Sequence, residues 1–128
     1  MKALLDTHVL LWWVGEPRRL SARAREVLDD DRNELHWSVV GTWEIALKIS
    51  RGKLKLPEPL QQFLVPRLAR GGIRQLPIQS QHALALLDLP GHHWDPFDRM
   101  LIAQARVEKL EILTADPHFA KYDVGTCW

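Results

Sequence analysis

The chain has 128 residues, 46% hydrophobic and 26% charged, with a formal net charge of +1. That length suits one domain able to bury about two-thirds of its unfolded surface, which excludes a need for disulfides or a structural metal merely to fold. The composition also excludes general disorder, and the longest apolar run, Val9 to Val14, is too short to span a bilayer.

After Met1-Lys2 the sequence enters a short apolar run and meets Asp6 with no secretory signal pattern, so a cytoplasmic protein with no membrane association is expected. Residues 2–5 predict a buried strand ending at Asp6, followed by a helix from about Thr7 to Gly15. Ser21 is the expected N-cap of a helix whose apolar face is Ala22, Ala24, Val27 and Leu28. The acidic run Asp29 to Asp31 opposes the helix dipole and marks its end. Leu35, Trp37 and Val39 alternate as in a strand.

After Gly41, the residues Trp43, Ile45, Ala46, Leu47 and Ile49 are concentrated as in a buried helix, which Gly52 closes. Pro57 and Pro59 lead into residues 59–72, read as two helical pieces divided at Pro66. Residues 73–78 read as an edge strand, because Pro77 cannot donate to a central ladder. Ser80 is the expected cap of the next helix, Pro90-Gly91 breaks it, and another helix runs from about Pro96 to Lys109. A strand ending near Asp116, a short helical turn and a last strand near residues 124–127 complete the chain. Strands alternating with helices imply a single α/β domain over residues 1–128, with a mostly parallel sheet covered on both faces.

Lys48, Arg51, Lys53, Lys55, Arg67, Arg70 and Arg74 are opposed within their segment only by Glu58. This reads equally as a surface for a polyanion or as a solvated helical face. Cys127 excludes an internal disulfide and a cysteine-rich zinc site, and beside the C-terminal Trp128 it reads as a bystander.

In open parallel sheets, binding sites form outside the carboxyl ends of the strands. Asp6 and Asp116 follow strands, Glu44 lies in the first turns after one, and Asp98 lies in the first turn after the Pro90-Gly91 break. Carboxylates gathered in one cleft raise each other's pKa, and a divalent cation removes that conflict. Oxygen-only donors favour Mg²⁺ or Mn²⁺ over Zn²⁺, and such an ion suits phosphodiester hydrolysis. Each acid also has a plainer reading: Asp6, Asp95 or Asp98, and Asp116 are all placed to cap helical starts. Glu44 is harder to dismiss, because it sits among Trp43, Ile45, Ala46 and Leu47, where an unpaired carboxylate is costly to bury. The adjacent His92 and His93 point in different directions and make no zinc pair. Trp12, Trp13, Trp37 and Trp43 read as packing residues, whereas Trp94, in a loop beside Asp95, is placed to stack on a base.

The stretches LLDTHVLLWW, SVVGTWEIALKISRGKL, HHWDPFDRMLIAQA and LTADPHFAKYDV, in this order over nearly the whole chain, resemble the PIN-domain ribonucleases, specifically the VapC-like toxins of bacterial toxin-antitoxin pairs. The resemblance implies a three-layer α/β/α fold, metal-dependent endoribonuclease activity on single-stranded regions of RNA, a cognate antitoxin and a homodimer. Its acids fall on Asp6, Glu44, Asp98 and, at a more variable position, Asp116. Asp6 and Asp98 are then the expected direct ligands of Mg²⁺ or Mn²⁺, with Glu44 and Asp116 holding waters or a second ion. Thr7, Thr114 and Asp95 are expected supports. Arg99 is expected either to contact a phosphate or to anchor a neighbouring acid, and His8 to line the cleft or pack on the helix.

Three other readings use the same residues. A phosphatase would use Asp6 as nucleophile, but it lacks a second nearby aspartate as acid/base. An RNA-processing nuclease would keep the chemistry without the toxin role. A non-catalytic scaffold for RNA or protein would keep only the fold, and it has no need of four acids.

Overall fold

The structure, a computed structural model, describes residues 1–128. Five parallel strands, β1 (Lys2–Leu5), β2 (Glu34–Ser38), β3 (Arg74–Leu76), β4 (Glu111–Leu113) and β5 (Thr126–Cys127), form one sheet in the order β3-β2-β1-β4-β5. Six helices connect them: α1 (Thr7–Gly15), α2 (Ala22–Asp29), α3 (Val39–Ser50), α4 (Leu60–Arg70), α5 (Ser80–Ala85) and α6 (Pro96–Glu108). No helix is long and apolar enough to cross a membrane.

The period of two along each strand sorts its side chains into two cores. Ala3, Leu5, Leu35, Trp37 and Leu113 face one side, where Val9, Leu10, Val27, Phe63, Leu64 and Leu68 from α1, α2 and α4 cover them. Leu4 and Ile112 face the other, beneath Leu101, Ile102 and Ala105 of α6 and the aromatic pair Phe119 and Tyr122. α3 contributes to both, Ile45 to the first core and Val40 to the second. This is the expected three-layer α/β/α arrangement, with the strand order reversing beside β1.

Several local readings need correction. α4 runs unbroken through Pro66. Pro66 and Gln62, whose carbonyl loses its helical partner, both lie on the exposed side, while Phe63, Leu64 and Leu68 anchor the helix through burial. α3 begins directly after β2 rather than after Gly41, because the Ser38 hydroxyl accepts from the Val40 amide and caps it. Gly41 therefore sits inside the helix, where a Cβ would meet the fully buried Trp37 ring at 2.6 Å. The face of α3 is also different from the one expected: it buries Val40, Gly41, Glu44 and Ile45 and leaves Trp43 and Ala46 exposed.

Ser80 is the first residue of α5 rather than its cap. Gln79 holds the cap position, and its amide donates to Nδ1 of the buried His82. The basic stretch is partly neutralised within the chain, since Lys48 pairs with Glu44, Arg67 with Glu58 and Arg74 with Glu34. Cys127 is half-buried against the first core.

Candidate active site

The sheet order reverses between β1 and β4, and the chain ends of these two strands open the crevice that such a reversal creates. Asp6 follows β1 there. Its amide donates to the Leu113 carbonyl at 3.1 Å, and the Thr114 hydroxyl, just past β4, donates to its Oδ2 at 2.8 Å. Thr114 Oγ1 also accepts from the Asp116 amide at 3.0 Å, so one hydroxyl ties two of the predicted acids together. Asp6 stands at the N-cap position of α1 without making the cap bond; the His8 amide influences the carboxylate but does not reach cap geometry. With the side chain only 5% exposed, burial pushes its pKa up, and the nearby Glu44 adds to this, against the opposing pull of Thr114 and His8.

Glu44 lies on the buried stripe of α3, 7% exposed, with Oε2 held by Lys48 Nζ at 3.1 Å one turn on. Asp98 is the third residue of α6, near the positive end of that helix. Its carboxyl is nonetheless pushed up to about 8, first by burial and then by the charges of Asp95, Asp6, Glu44 and Asp116. All four therefore lie near enough to Asp98 for their charges to act on it.

Asp95 is the acid that caps α6, its Oδ1 accepting from the amides of Phe97 and Asp98 at 3.0 Å each. Asp116 likewise caps the turn Pro117–Lys121: its Oδ1 accepts from the His118 amide at 2.9 Å and meets His118 Nδ1 at 2.8 Å. Burial raises the Asp116 pKa, but the His118 bonds and the His118 and His93 charges outweigh it, leaving it below the usual range.

Arg99 touches neither Asp98 nor Asp95. It is buried, and its guanidinium donates to the carbonyls of Pro90 at 2.9 Å, His93 at 3.2 Å and Leu89 at 3.4 Å, anchoring the loop that leads into α6. His8 is exposed at the rim, tilted against Trp12. His93 is closer to the site than its sequence position suggested, with both ring nitrogens buried and unpartnered.

The donor chemistry fits a hard divalent cation. One oxygen each of Glu44 and Asp116 and both of Asp98 are free of side-chain and backbone partners, and the buried hydroxyl of Thr7, adjacent to Asp6, has none either. The acids do not stand as a finished cage, since no three His, Cys, Asp or Glu side chains converge closely enough to hold an ion as they are. The clefts of about 400 and 460 Å³ flanking the second half of α1 are lined by none of them.

Two members of the site were not anticipated. Lys48 follows Glu44 at the i,i+4 spacing of a helical ion pair, a signal present in the sequence. His118 follows Asp116 by two residues, the spacing at which a capping aspartate meets the chain ahead of it.

The PIN-domain profile matches residues 3–125. Ribonuclease VapC22 of Mycobacterium tuberculosis is 31% identical over 114 residues, covering 88% of this chain and 85% of the relative. Ribonuclease VapC16 of the same organism is 35% identical over 68 residues, half of this chain. Among solved structures, the fold is similar to VapBC2 from Rickettsia felis bound to a promoter DNA fragment, with a TM-score of 0.72, 16% identity and coverage of 99% and 98% of the two chains. It is also similar to FitAcB from Neisseria gonorrhoeae, with a TM-score of 0.63, 24% identity and coverage of 97% and 95%.

Proposed function

The chain belongs to the PIN-domain family, and from that premise we propose that it is an endoribonuclease dependent on Mg²⁺ or Mn²⁺, acting as the toxin of a toxin-antitoxin pair. The observation that carries the metal requirement is the state of Asp98. A carboxyl raised to about 8 by burial and by its acidic neighbours keeps its proton at neutral pH, and a cation bound beside it would favour its anion there. Lys48 bonds only Glu44 among these acids.

Asp6 and Asp98 would hold the ion directly. Thr114 holds the Asp6 carboxylate, and the first turn of α6 places Asp98. Glu44, through its free oxygen, and Asp116, through Oδ2, would orient ordered waters, and the unpartnered Thr7 hydroxyl offers a further donor and acceptor at the same edge. When bound, the ion supplies Lewis-acid activation of water and neutralises charge on the phosphoryl oxygen. The chain's contribution is placement: acids from four separate segments are brought to the end of the sheet by its order.

Purified protein is expected to cleave RNA with Mg²⁺ or Mn²⁺, and Asp6→Asn or Asp98→Asn to reduce the rate by at least about 100-fold, as loss of a principal electrostatic group does. Equal cleavage in EDTA would overturn the reading.

A cognate antitoxin is the proposed protein partner, supported by similar folds solved in VapBC and FitAB complexes. Co-purification with the product of an adjacent small gene tests it. A homodimer is proposed as well. Leu84 and Leu87, exposed at and just beyond α5, offer an apolar patch that a second copy would cover. Light scattering of the purified chain gives its mass directly.

A further inference from the structure

Trp94 is a large aromatic side chain held in place by its surroundings. It is 75% exposed, yet it does not hang free. The Arg99 guanidinium carbon lies 4.5 Å from its ring centroid and covers one face. That guanidinium is itself tied to the Pro90 and His93 carbonyls, so the indole rests on a fixed support. Gly91 lets the ring lie against the loop, since a Cβ there would fall 2.9 Å from Trp94 Cζ2. With most of the side chain in water, the opposite face is open.

Trp43 repeats the pattern on the neighbouring element. It is 53% exposed, directly precedes Glu44, and meets the edge of Phe97, which directly precedes Asp98, at 4.8 Å between ring centroids. Two exposed indoles thus directly precede two acids in the chain, Trp43 before Glu44 on α3 and Trp94 before Asp95 in the loop leading to α6. Beyond the end of α3, Arg51, Lys53 and Lys55 are exposed and take part in no ion pair. Open aromatic faces, with cations free elsewhere on the chain, are groups of the kind that hold single-stranded nucleic acid without reading its sequence. A stacking site also excludes duplex RNA, whose bases present no open face.

We propose that Trp94, with Trp43 beside it, is a stacking platform that seats unpaired bases of single-stranded RNA over the acidic cluster. This rests on the nuclease reading above. The platform selects unpaired segments and leaves the chemistry to the acids, so its loss acts on binding rather than on turnover.

The test measures binding by fluorescence anisotropy in the Asp98→Asn background, with Mn²⁺ present, using a labelled mixed-sequence single-stranded oligoribonucleotide and an abasic ribose-phosphate oligomer of the same length. Adding Trp94→Ala is expected to weaken binding of the base-bearing strand by about 5- to 100-fold. Trp94→Phe should restore most of that affinity, and the abasic oligomer should bind all three proteins equally. Unchanged affinity in the Trp94→Ala protein, or an equal loss for the abasic oligomer, would overturn the platform, as would loss of self-association instead of RNA binding, which would assign the indole to a protein interface. Cleavage by the unsubstituted protein is measured separately. Its absence would overturn the nuclease reading, whereas cleavage with a failed platform leaves that reading standing.

Discussion

Asp98 combines two opposed influences. The first turn of α6 favours its anion, while burial and four nearby carboxylates disfavour it, and the second influence wins. A group whose folded pKa lies above its unfolded value holds more protons folded than unfolded. In the absence of a cation, this group therefore lowers stability progressively as pH rises from the ordinary carboxylate range towards about 8. Asp98→Asn removes that burden. The variant is expected to melt higher than the parent in EDTA, by on the order of a few °C, with the gap widening from about pH 5 to about pH 8. Calorimetry in two buffers checks this, and a variant that melts lower at high pH would contradict it. The same comparison separates the roles of two residues that look alike in sequence, since Asp95, exposed and hydrogen-bonded, serves mainly to end the loop and start the helix.

At the scale of the element, α6 depends on that cap. Asp95→Ala leaves the Phe97 and Asp98 amides without their partner and should lower stability by about 1 kcal/mol, read as a reduced denaturation midpoint with an unchanged denaturant slope. The substitution also removes a negative charge from beside Asp98, so part of the lost cap is offset, and the deficit is expected to be larger at acid pH than at neutral pH. α3 shows where sequence patterning reached its limit. Its apolar residues were legible, but their number concealed which face is buried. Trp43 reads as core by composition, yet the stripe that packs is Val40, Gly41, Glu44 and Ile45, set by the Trp37 ring lying across Gly41. α4 shows the converse, a proline that ends a helix by local rules but is tolerated because its face is exposed and its neighbours are anchored.

At the scale of the whole molecule, the acids belong to separate layers that meet only at the end of the sheet. A cation bound there ties β1, α3 and α6 together and should stabilise the fold by mass action, about 2.7 kcal/mol at a free concentration 100 times its dissociation constant. Because binding must displace the proton from Asp98, Mn²⁺ is expected to raise the melting temperature more at about pH 8 than at about pH 6, and Asp98→Asn should abolish most of the shift. An equal shift in parent and variant would place the ion elsewhere. Element order and the parallel sheet were legible in the sequence, because hydrophobic period and glycine and proline punctuation are local signals. Which acids cap and which remain free was not local. Asp6 and Asp116 each sit at a helical start, and only the folded chain shows that Asp6 bonds Thr114 across the sheet while Asp116 caps its own turn. The same holds for Arg99, whose partners are loop carbonyls, and for Trp94, whose fixed pose comes from Arg99 beneath it. Local pattern determined what each segment would become; long-range packing decided which polar groups found a partner and which did not.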